Sequence, residues 1–108
     1  MTQTLIYITA ESREEAVKIG RTLVESRLCA CANVLAGNTT SIYWWEGAVA
    51  EEDEVSILLK TREDLVDKVV EKVREVHSYD CPCVVSLPIS GGNPAFLDWI
   101  DGETAEQA

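Results

Sequence analysis

The stretch from Leu28 to Thr61 constrains the fold more than any other part of the sequence, because it holds three extended segments in a row. The segments read LCACANVL, TTSIYWWEG and EVSILLKT, and they are separated by AGN and EGAVAEEDE. All three are rich in Val, Ile, Thr or aromatic residues, as strands are. In the last segment apolar residues alternate with Glu54, Ser56 and Lys60, so one face is buried and Lys60 lies opposite it. We predict a long, bent hairpin.

A strand and a helix precede this hairpin. QTLIYIT is an apolar run typical of a buried strand. Ser12, with Glu15 three residues later, forms a capping box that opens a helix. The helix is predicted to run to about Arg27, and five small or apolar residues at helical spacing form the face that packs on the sheet: Ala16, Ile19, Gly20, Leu23 and Val24.

A second helix follows the hairpin, with Thr61 predicted as its N-cap and Asp64 at the capping-box offset. Its apolar stripe consists of Leu65, Val69, Val73 and Val76. Residues 78–82 break this helix, and VVSLPI is predicted as a last strand at a sheet edge because it contains a proline.

In GGNPAFLDWI a short third helix is predicted, with Asn93 as its cap and Pro94 at its first position. The resulting order, β-α-β-β-α-β-α, is that of an α+β ferredoxin-like domain, in which an antiparallel four-stranded sheet carries two helices on one face. We predict a single domain over residues 1–108, and residues 102–108 lack apolar anchors and are expected to form a frayed tail. The uncovered sheet face, together with Tyr43, Trp44 and Trp45, indicates self-association.

The formal net charge is −10, and Lys and Arg do not cluster, so nucleic acid is not expected as a partner. The sequence has no signal-peptide pattern and no run long and apolar enough to span a bilayer, so no membrane partner is expected. We therefore predict a cytoplasmic protein. In that compartment Cys29, Cys31, Cys81 and Cys83 are expected to be reduced thiols, available as ligands, redox centres or core residues.

Each Cys-x-Cys pair presents two thiols to one face if its backbone is extended. Thiolates favour Cu(I) and Zn(II), and imidazole also accepts zinc or copper. For Cys29 and Cys31 we favour core packing, whereas for Cys81 and Cys83 the ligand and packing interpretations stay open. His77 is the only histidine. It would serve equally well as a metal ligand or as a cation at the end of the second helix.

Several motifs, in order and at similar spacing, resemble the CutA divalent-cation tolerance proteins: CANV, SIYWWEG, Glu54 ahead of LLKT, His77-x-Tyr79-acid-x-Pro82 and FLDWI. The resemblance runs from about residue 4 to about residue 101. It implies a small cytosolic homotrimer of ferredoxin-like subunits, similar in architecture to the nitrogen-regulatory PII proteins. It also implies a link to tolerance of copper and other divalent cations. No enzymatic activity is implied, no catalytic residue is expected and no cofactor is required, although a copper or zinc ion could bind.

The resemblance also implies site residues. Cys31 and His77 would be metal ligands, and a cleft between subunits would be lined by Tyr43, Trp45, Glu54, Lys60, Tyr79 and Asp80. This chain departs from the family pattern twice: Ser78 replaces the usual proline after the histidine, and Cys83 replaces the usual acid after Pro82. The second change puts a soft thiol in place of a hard carboxylate.

Three functions follow from these observations. The first is a metal-responsive protein that uses Cys31 and His77. The second is a trimeric regulatory module that binds a small anion near Lys60, although a surface pair of Lys60 with Glu54 is the simpler reading of that residue. The third is a thiol redox protein. We also hypothesise a four-thiolate site: in the sheet order 4-1-3-2 the two Cys-x-Cys pairs lie on opposite edges, so they would meet only between subunits.

Overall fold

Five strands and three helices follow one another in the computed structural model, which describes residues 2–104. The strands are β1 (Gln3–Ala10), β2 (Cys31–Val34), β3 (Thr39–Trp45), β4 (Ala48–Arg62) and β5 (Val84–Pro88). The helices are α1 (Arg13–Glu25), α2 (Val66–Val76) and α3 (Pro94–Thr104). A 3-10 turn, Glu63–Leu65, links β4 to α2. None of these helices has the length and hydropathy that crossing a membrane requires.

The strands form an antiparallel sheet in the order β2-β4-β1-β5, and β3 pairs with the first half of β4. If β2 and β3 are counted as one bent strand, this is the predicted order 4-1-3-2, and the ferredoxin-like prediction is confirmed. The edge position of the last strand, which contains Pro88, is also confirmed. The four cysteines therefore lie toward the two opposite edges, Cys29 and Cys31 at β2 and Cys81 and Cys83 just before β5.

The core lies between this sheet and the helices α1 and α2. In the core, alternate residues of β1 and β4 lie opposite each other. Ile8 lies opposite Ile57, and Ile6 lies opposite Leu59. The main buried members are Ile6, Ile8, Ala16, Ile19, Leu23, Cys29, Ile57, Leu59, Val69 and Val73. The predicted apolar faces of both helices are therefore confirmed.

The start of α1 is as predicted, because the Ser12 hydroxyl accepts a hydrogen bond from the Glu15 amide at 3.1 Å. On its buried face, Gly20 lets the helix approach β2 closely. A Cβ atom at that position would lie 3.0 Å from the Cβ of Ala32, nearer than two such atoms normally come. The glycine thus sets the distance between α1 and the edge of the sheet.

The prediction that EGAVAEEDE interrupts the hairpin is wrong, because β4 already begins at Ala48. Only Glu46 and Gly47 form the turn, and Trp45 pairs directly with Ala48. Both turn residues have positive φ, 49° and 81°. A two-residue turn with this geometry matches the twist of the flanking strands, so the charged residues that follow continue the ladder.

The prediction that Thr61 caps the second helix is also wrong. β4 continues to Arg62, and Thr61 is fully buried, with its hydroxyl donating to the carbonyl oxygen of Leu28 at 2.6 Å. Pairing with β1 therefore overrides the local capping signal, and α2 begins only at Val66. 

The third helix has its predicted cap, since Asn93 Oδ1 accepts from the Ala95 amide at 3.1 Å. It continues further than predicted. Thr104 is in the helix and 3% exposed, so the prediction of a frayed tail over residues 102–108 is wrong for its first three residues. The rest of that prediction, residues 105–108, lies outside the described residues.

Candidate functional site

The face of the sheet that points away from α1 and α2, called the open face below, carries both polar and apolar groups. Ser56 is 3% exposed, and its hydroxyl lies 2.8 Å from the Tyr7 hydroxyl and 2.6 Å from the Thr39 hydroxyl. Nearby on β5, Val85 and Leu87 are each 50% exposed. These three hydroxyls thus bond to one another within the chain, while apolar side chains of the same face are exposed to solvent.

His77 ends α2 as predicted, and both of its ring nitrogens are engaged. Nδ1 accepts a hydrogen bond from the Tyr79 amide at 3.0 Å, and Nε2 lies 2.8 Å from the carbonyl oxygen of Thr9. Because a carbonyl oxygen can only accept, Nε2 donates to it, and Nδ1 is the acceptor of the ring in this arrangement. A metal ion could bind His77 only by displacing one of these two hydrogen bonds.

Tyr79 connects the segment after α2 to the middle of β4. Its hydroxyl donates to Glu54 Oε2 at 3.0 Å, and Glu54 is 7% exposed. Burial raises the pKa of Tyr79 well above its usual value, and the hydrogen bond to Glu54 and the negative charges of Glu54, Glu52 and Glu11 raise it further. The phenol is therefore held neutral as a donor to a buried carboxylate.

Ser78, one of the two departures from the family pattern, is fixed by Glu15 of α1. The Ser78 amide donates to Glu15 Oε2 at 2.9 Å, and the Glu11 amide donates to Oε1 at 3.1 Å. Burial alone would raise the pKa of Glu15, but hydrogen bonds from the Ser78 hydroxyl, the Glu11 amide and the Ser78 amide hold it below its ordinary value. A proline at position 78 has no amide hydrogen to donate, so this bond depends on the departure.

Cys81 and Cys83 flank Pro82 in the segment before β5, and both side chains are exposed, unbridged thiols. Burial and the charge of Glu54 raise the pKa of Cys83, while a hydrogen bond from Thr9 opposes that rise. Cys83 therefore lies near the same residues that His77 and Tyr79 contact.

Cys29 and Cys31 do not form the paired site that an extended backbone would give, because β2 begins only at Cys31. Cys29 is 1% exposed within the core, and burial raises its pKa to about 12, as predicted for a packing residue. Cys31 is half-buried and lies directly opposite Lys60 in the sheet. Because directly opposite residues point to the same face, Cys31 lies on the open face with Lys60. The prediction that both thiols lie on one face of a strand is thus wrong. The prediction of core packing is right for Cys29.

The predicted pair of Lys60 with Glu54 is wrong, because Lys60 Nζ donates to Asn33 Oδ1 instead. Six residues of β4 separate Lys60 from Glu54, which is about 20 Å along an extended strand. Trp45 lies farther out, beside the hairpin turn, and is 57% exposed. Only part of the predicted cleft therefore forms within one chain.

That part consists of Glu54, Tyr79 and Tyr43. The pKa of Tyr43 is raised by desolvation and by Glu52 and Glu54. Asp80 is exposed on the segment beside Tyr79. The complete cleft, which needs a second chain, stays a prediction.

Cys31 and His77 are not brought together within one chain. Cys31 lies opposite Lys60, whereas His77 contacts Thr9, which lies opposite Ser56. Four residues of β4 correspond to about 13 Å along the strand. In residues 2–104 no three His, Cys, Asp or Glu side chains are placed so that they could hold one metal ion.

A depression of about 230 Å³ lies beside Glu54, between the start of α1 and the turn after β2. Its lining includes the carboxylates of Glu11, Asp53 and Glu54 and one guanidinium, that of Arg13. This balance of charge favours cations over anions. The predicted small-anion site near Lys60 lies farther along β4 and stays a prediction.

Two contributors to this region were missed from the sequence. Thr9 was counted only as part of a strand, yet its carbonyl oxygen contacts His77 and its side chain contacts Cys83. Glu15 was predicted only as a capping residue. Its position in the first turn of α1 gave no signal that it reaches Ser78, because that contact depends on how α1 and the end of α2 are arranged in space.

Comparison with known proteins covers nearly the whole chain. Residues 4–103 match the family model of the CutA1 divalent ion tolerance protein. The divalent-cation tolerance protein CutA of Archaeoglobus fulgidus is 44% identical over 101 residues, which are 94% of this chain and 96% of that protein. The rice protein CutA 1, chloroplastic, is 38% identical over 102 residues, which are 94% of this chain and 57% of the rice protein.

Solved structures agree with the fold. The crystal structure of CutA1 from Oryza sativa matches with a TM-score of 0.93 at 36% identity, over 99% of this chain and 97% of that chain. The CutA structure from Archaeoglobus fulgidus matches with a TM-score of 0.91 at 40% identity, over 95% of this chain and 99% of that chain.

Proposed function

The chain belongs to the CutA1 divalent ion tolerance protein family, and from this premise we propose that it acts in metal tolerance as a cytoplasmic homotrimer that binds copper through cysteine and histidine. Membership of the family supports the general role in tolerance of divalent cations. In this proposal the protein binds metal and catalyses no reaction.

The observation that carries the proposal is the set of unbridged thiols. Cys81 and Cys83 are exposed and Cys31 is half-buried, so three of the four thiols are within reach of an ion. Thiolates bind Cu(I) and Zn(II) in preference to hard cations. The formal net charge of −10 adds a general attraction for cations.

Trimer formation is supported by apolar side chains that the single chain leaves bare. On the hairpin Ile42, Trp44 and Val49 are 65%, 75% and 59% exposed. Together with Val85 and Leu87 on β5, they form more apolar surface than a soluble monomer usually presents. Both β2 and β5 are edge strands, whose unpaired backbone groups favour pairing with another chain.

A trimer also changes what the ligands can do. Since Cys31 and His77 are apart within one chain, a metal that uses both has to lie between chains. In that arrangement His77 exchanges its hydrogen bond with Tyr79 or Thr9 for a bond to the metal. The four-thiolate interface hypothesis is weakened, because Cys29 is enclosed in the core and is not free to turn toward a neighbour.

Two measurements test the proposal on the reduced protein. Sedimentation equilibrium at micromolar concentration is expected to give a trimer. Anaerobic titration with Cu(I) and with Zn(II), each in competition with a chromogenic chelator, is expected to show tight binding of Cu(I). A monomer in the first experiment, or no competition for either ion in the second, contradicts the corresponding part.

The individual ligands are tested by substitution. Cys31→Ser and His77→Ala are expected to weaken copper binding and to leave the trimer intact. His77→Asn is the matched control, because an Asn side chain can still accept a hydrogen bond from the Tyr79 amide but does not replace imidazole as a copper ligand. If Cys31→Ser and His77→Ala both titrate like wild type, these two residues are not ligands.

A further inference from the structure

The segment between α2 and β5 places two thiols on either side of one proline. Cys81 and Cys83 are exposed and unbridged, and residues 78–83 belong to no helix or strand. The chain bends at residues 78–81, and β5 begins only at Val84. Because neither cysteine is fixed by the backbone hydrogen bonds of a sheet, the segment can adjust so that both sulfur atoms bind one ion.

This segment is anchored at both ends. At its start, Tyr79 is held by its hydroxyl on Glu54 and by its amide on His77. At its end, β5 begins at Val84, which pairs with Ile8 of β1. Only four residues, 80–83, lie between the two anchors. A short anchored segment loses little conformational entropy when it binds a ligand.

The number of ligands within reach selects the metal. Zinc sites in proteins use four ligands, and structural sites use four protein side chains. No three His, Cys, Asp or Glu side chains in residues 2–104 are grouped so that they could share an ion. Cu(I) is a soft ion that prefers thiolate ligands. Two thiolates are sufficient for it, because Cu(I) forms stable two-coordinate complexes.

The electrostatic surroundings favour a cation. Glu54 lies near Cys83, and its negative charge attracts a positive ion to the two thiols. A bound cation also cancels part of the negative charge that two thiolates would place beside this carboxylate.

We propose that Cys81 and Cys83 together bind one Cu(I) ion in each chain as a bis-thiolate complex. Each S–H bond breaks and releases its proton to water, and two Cu–S bonds form. A neutral dithiol and a monovalent cation thus give a singly negative complex and two protons. Copper stays Cu(I) throughout, so no oxidant or reductant takes part. This inference rests on the proposed function in metal tolerance, but it locates a site separate from Cys31 and His77.

The test is an anaerobic Cu(I) titration of the full chain in competition with a chromogenic chelator. The double variant Cys81→Ser/Cys83→Ser is expected to bind one equivalent of Cu(I) per chain fewer than wild type. Ser86→Ala removes an exposed hydroxyl from β5, and this control variant is expected to bind as much Cu(I) as wild type. Both substituted side chains in the double variant are exposed, so its thermal unfolding is expected to match that of wild type.

A second measurement uses unmodified wild type. One equivalent of Cu(I) is expected to protect Cys81 and Cys83 together from alkylation, as read by mass spectrometry. X-ray absorption of the Cys31→Ser variant with one equivalent of Cu(I) is expected to show two sulfur neighbours around copper. Three or more sulfur neighbours, or copper-dependent association of trimers, would overturn a site made by two thiols of one chain.

The outcomes separate this inference from the proposed function. If the double variant keeps the stoichiometry and affinity of wild type, the inference is overturned and copper binding elsewhere in the chain stands. If wild type binds no Cu(I) at all, the proposed function and the inference both fail.

Discussion

Tyr79 donates its hydroxyl hydrogen to Glu54 at 3.0 Å, and this bond ties the segment after α2 to a carboxylate that is 7% exposed. Tyr79→Phe removes the donor and leaves the carboxylate in place. We expect the free energy of unfolding to fall by about 1–3 kcal/mol, the usual effect of removing a partner from a buried charged acceptor. Urea-induced unfolding of the two proteins measures this difference.

Tyr43→Phe is the comparison variant, because it removes a tyrosine hydroxyl that bonds to Glu52 on the outer hairpin. We expect a smaller loss there, because water can replace that exposed bond. Equal losses in the two variants would contradict a special role for the bond between Tyr79 and Glu54.

The same bond predicts how stability depends on alkaline pH. The pKa of Tyr79 is raised above its ordinary value of 10.0 by burial and then by Glu54. Above pH 10 the unfolded chain releases this proton while the native state keeps it, so the native state binds more protons and stability falls as pH rises. Urea unfolding between pH 8 and about pH 11 is expected to show this loss in wild type, and a smaller loss in Tyr79→Phe.

Ser78→Pro is expected to raise the pKa of Glu15 toward its ordinary value of 4.5, because proline has neither the hydroxyl nor the amide hydrogen that Ser78 donates to this carboxylate. Ser78→Ala keeps the amide bond at 2.9 Å and loses only the hydroxyl, so it is expected to raise the pKa by part of that amount. Carboxyl NMR titration measures both. In wild type, the stability that Glu15 contributes is present above pH 4.5 and is lost as pH falls through the lowered native pKa. An unchanged pKa in Ser78→Pro would contradict this account.

The cysteines are expected to differ strongly in alkylation rate. Cys29 is 1% exposed with a pKa of about 12, so only about one thiol in ten thousand is ionised at pH 8 and almost none is accessible. Cys81 is exposed and is expected to react first, and Cys83 more slowly because its pKa is raised. Mass spectrometry of protein quenched at successive times gives the order. Modification of Cys29 at the rate of Cys81 in folded protein would contradict its place in the core.

Strands and helices with a regular spacing of apolar residues could be predicted from the sequence, and so could a helix start with a local capping residue. The alternation around Val55 and the spacing of Leu65, Val69 and Val73 correctly gave the buried faces. The cap at Ser12 depends only on neighbouring residues, and it was also right. The end of β4 could not be predicted in this way, because Thr61 suits a helix cap locally and a buried strand only when β1 lies beside it.

The site was less predictable than the fold. His77, Tyr79 and Glu54 were identified as site residues, but their bonding was not, since the contact between Tyr79 and Glu54 joins residues 25 positions apart. Lys60 was placed on the correct face, yet its partner is Asn33 of the neighbouring strand and not Glu54 of its own. Cys29 and Cys31 share a sequence pattern, but the strand that would align them begins two residues too late, at Cys31.

The long strand β4 has a consequence for how the chain is made. It is the shared partner of β1, β2 and β3, and all three precede it in the sequence. As the chain leaves the ribosome, these three strands emerge before the strand that supplies their backbone hydrogen bonds. The hairpin of β3 can close once residue 54 has emerged, but β1 pairs with residues 55–62 of β4, so the first strand waits until more than half of the chain has been made.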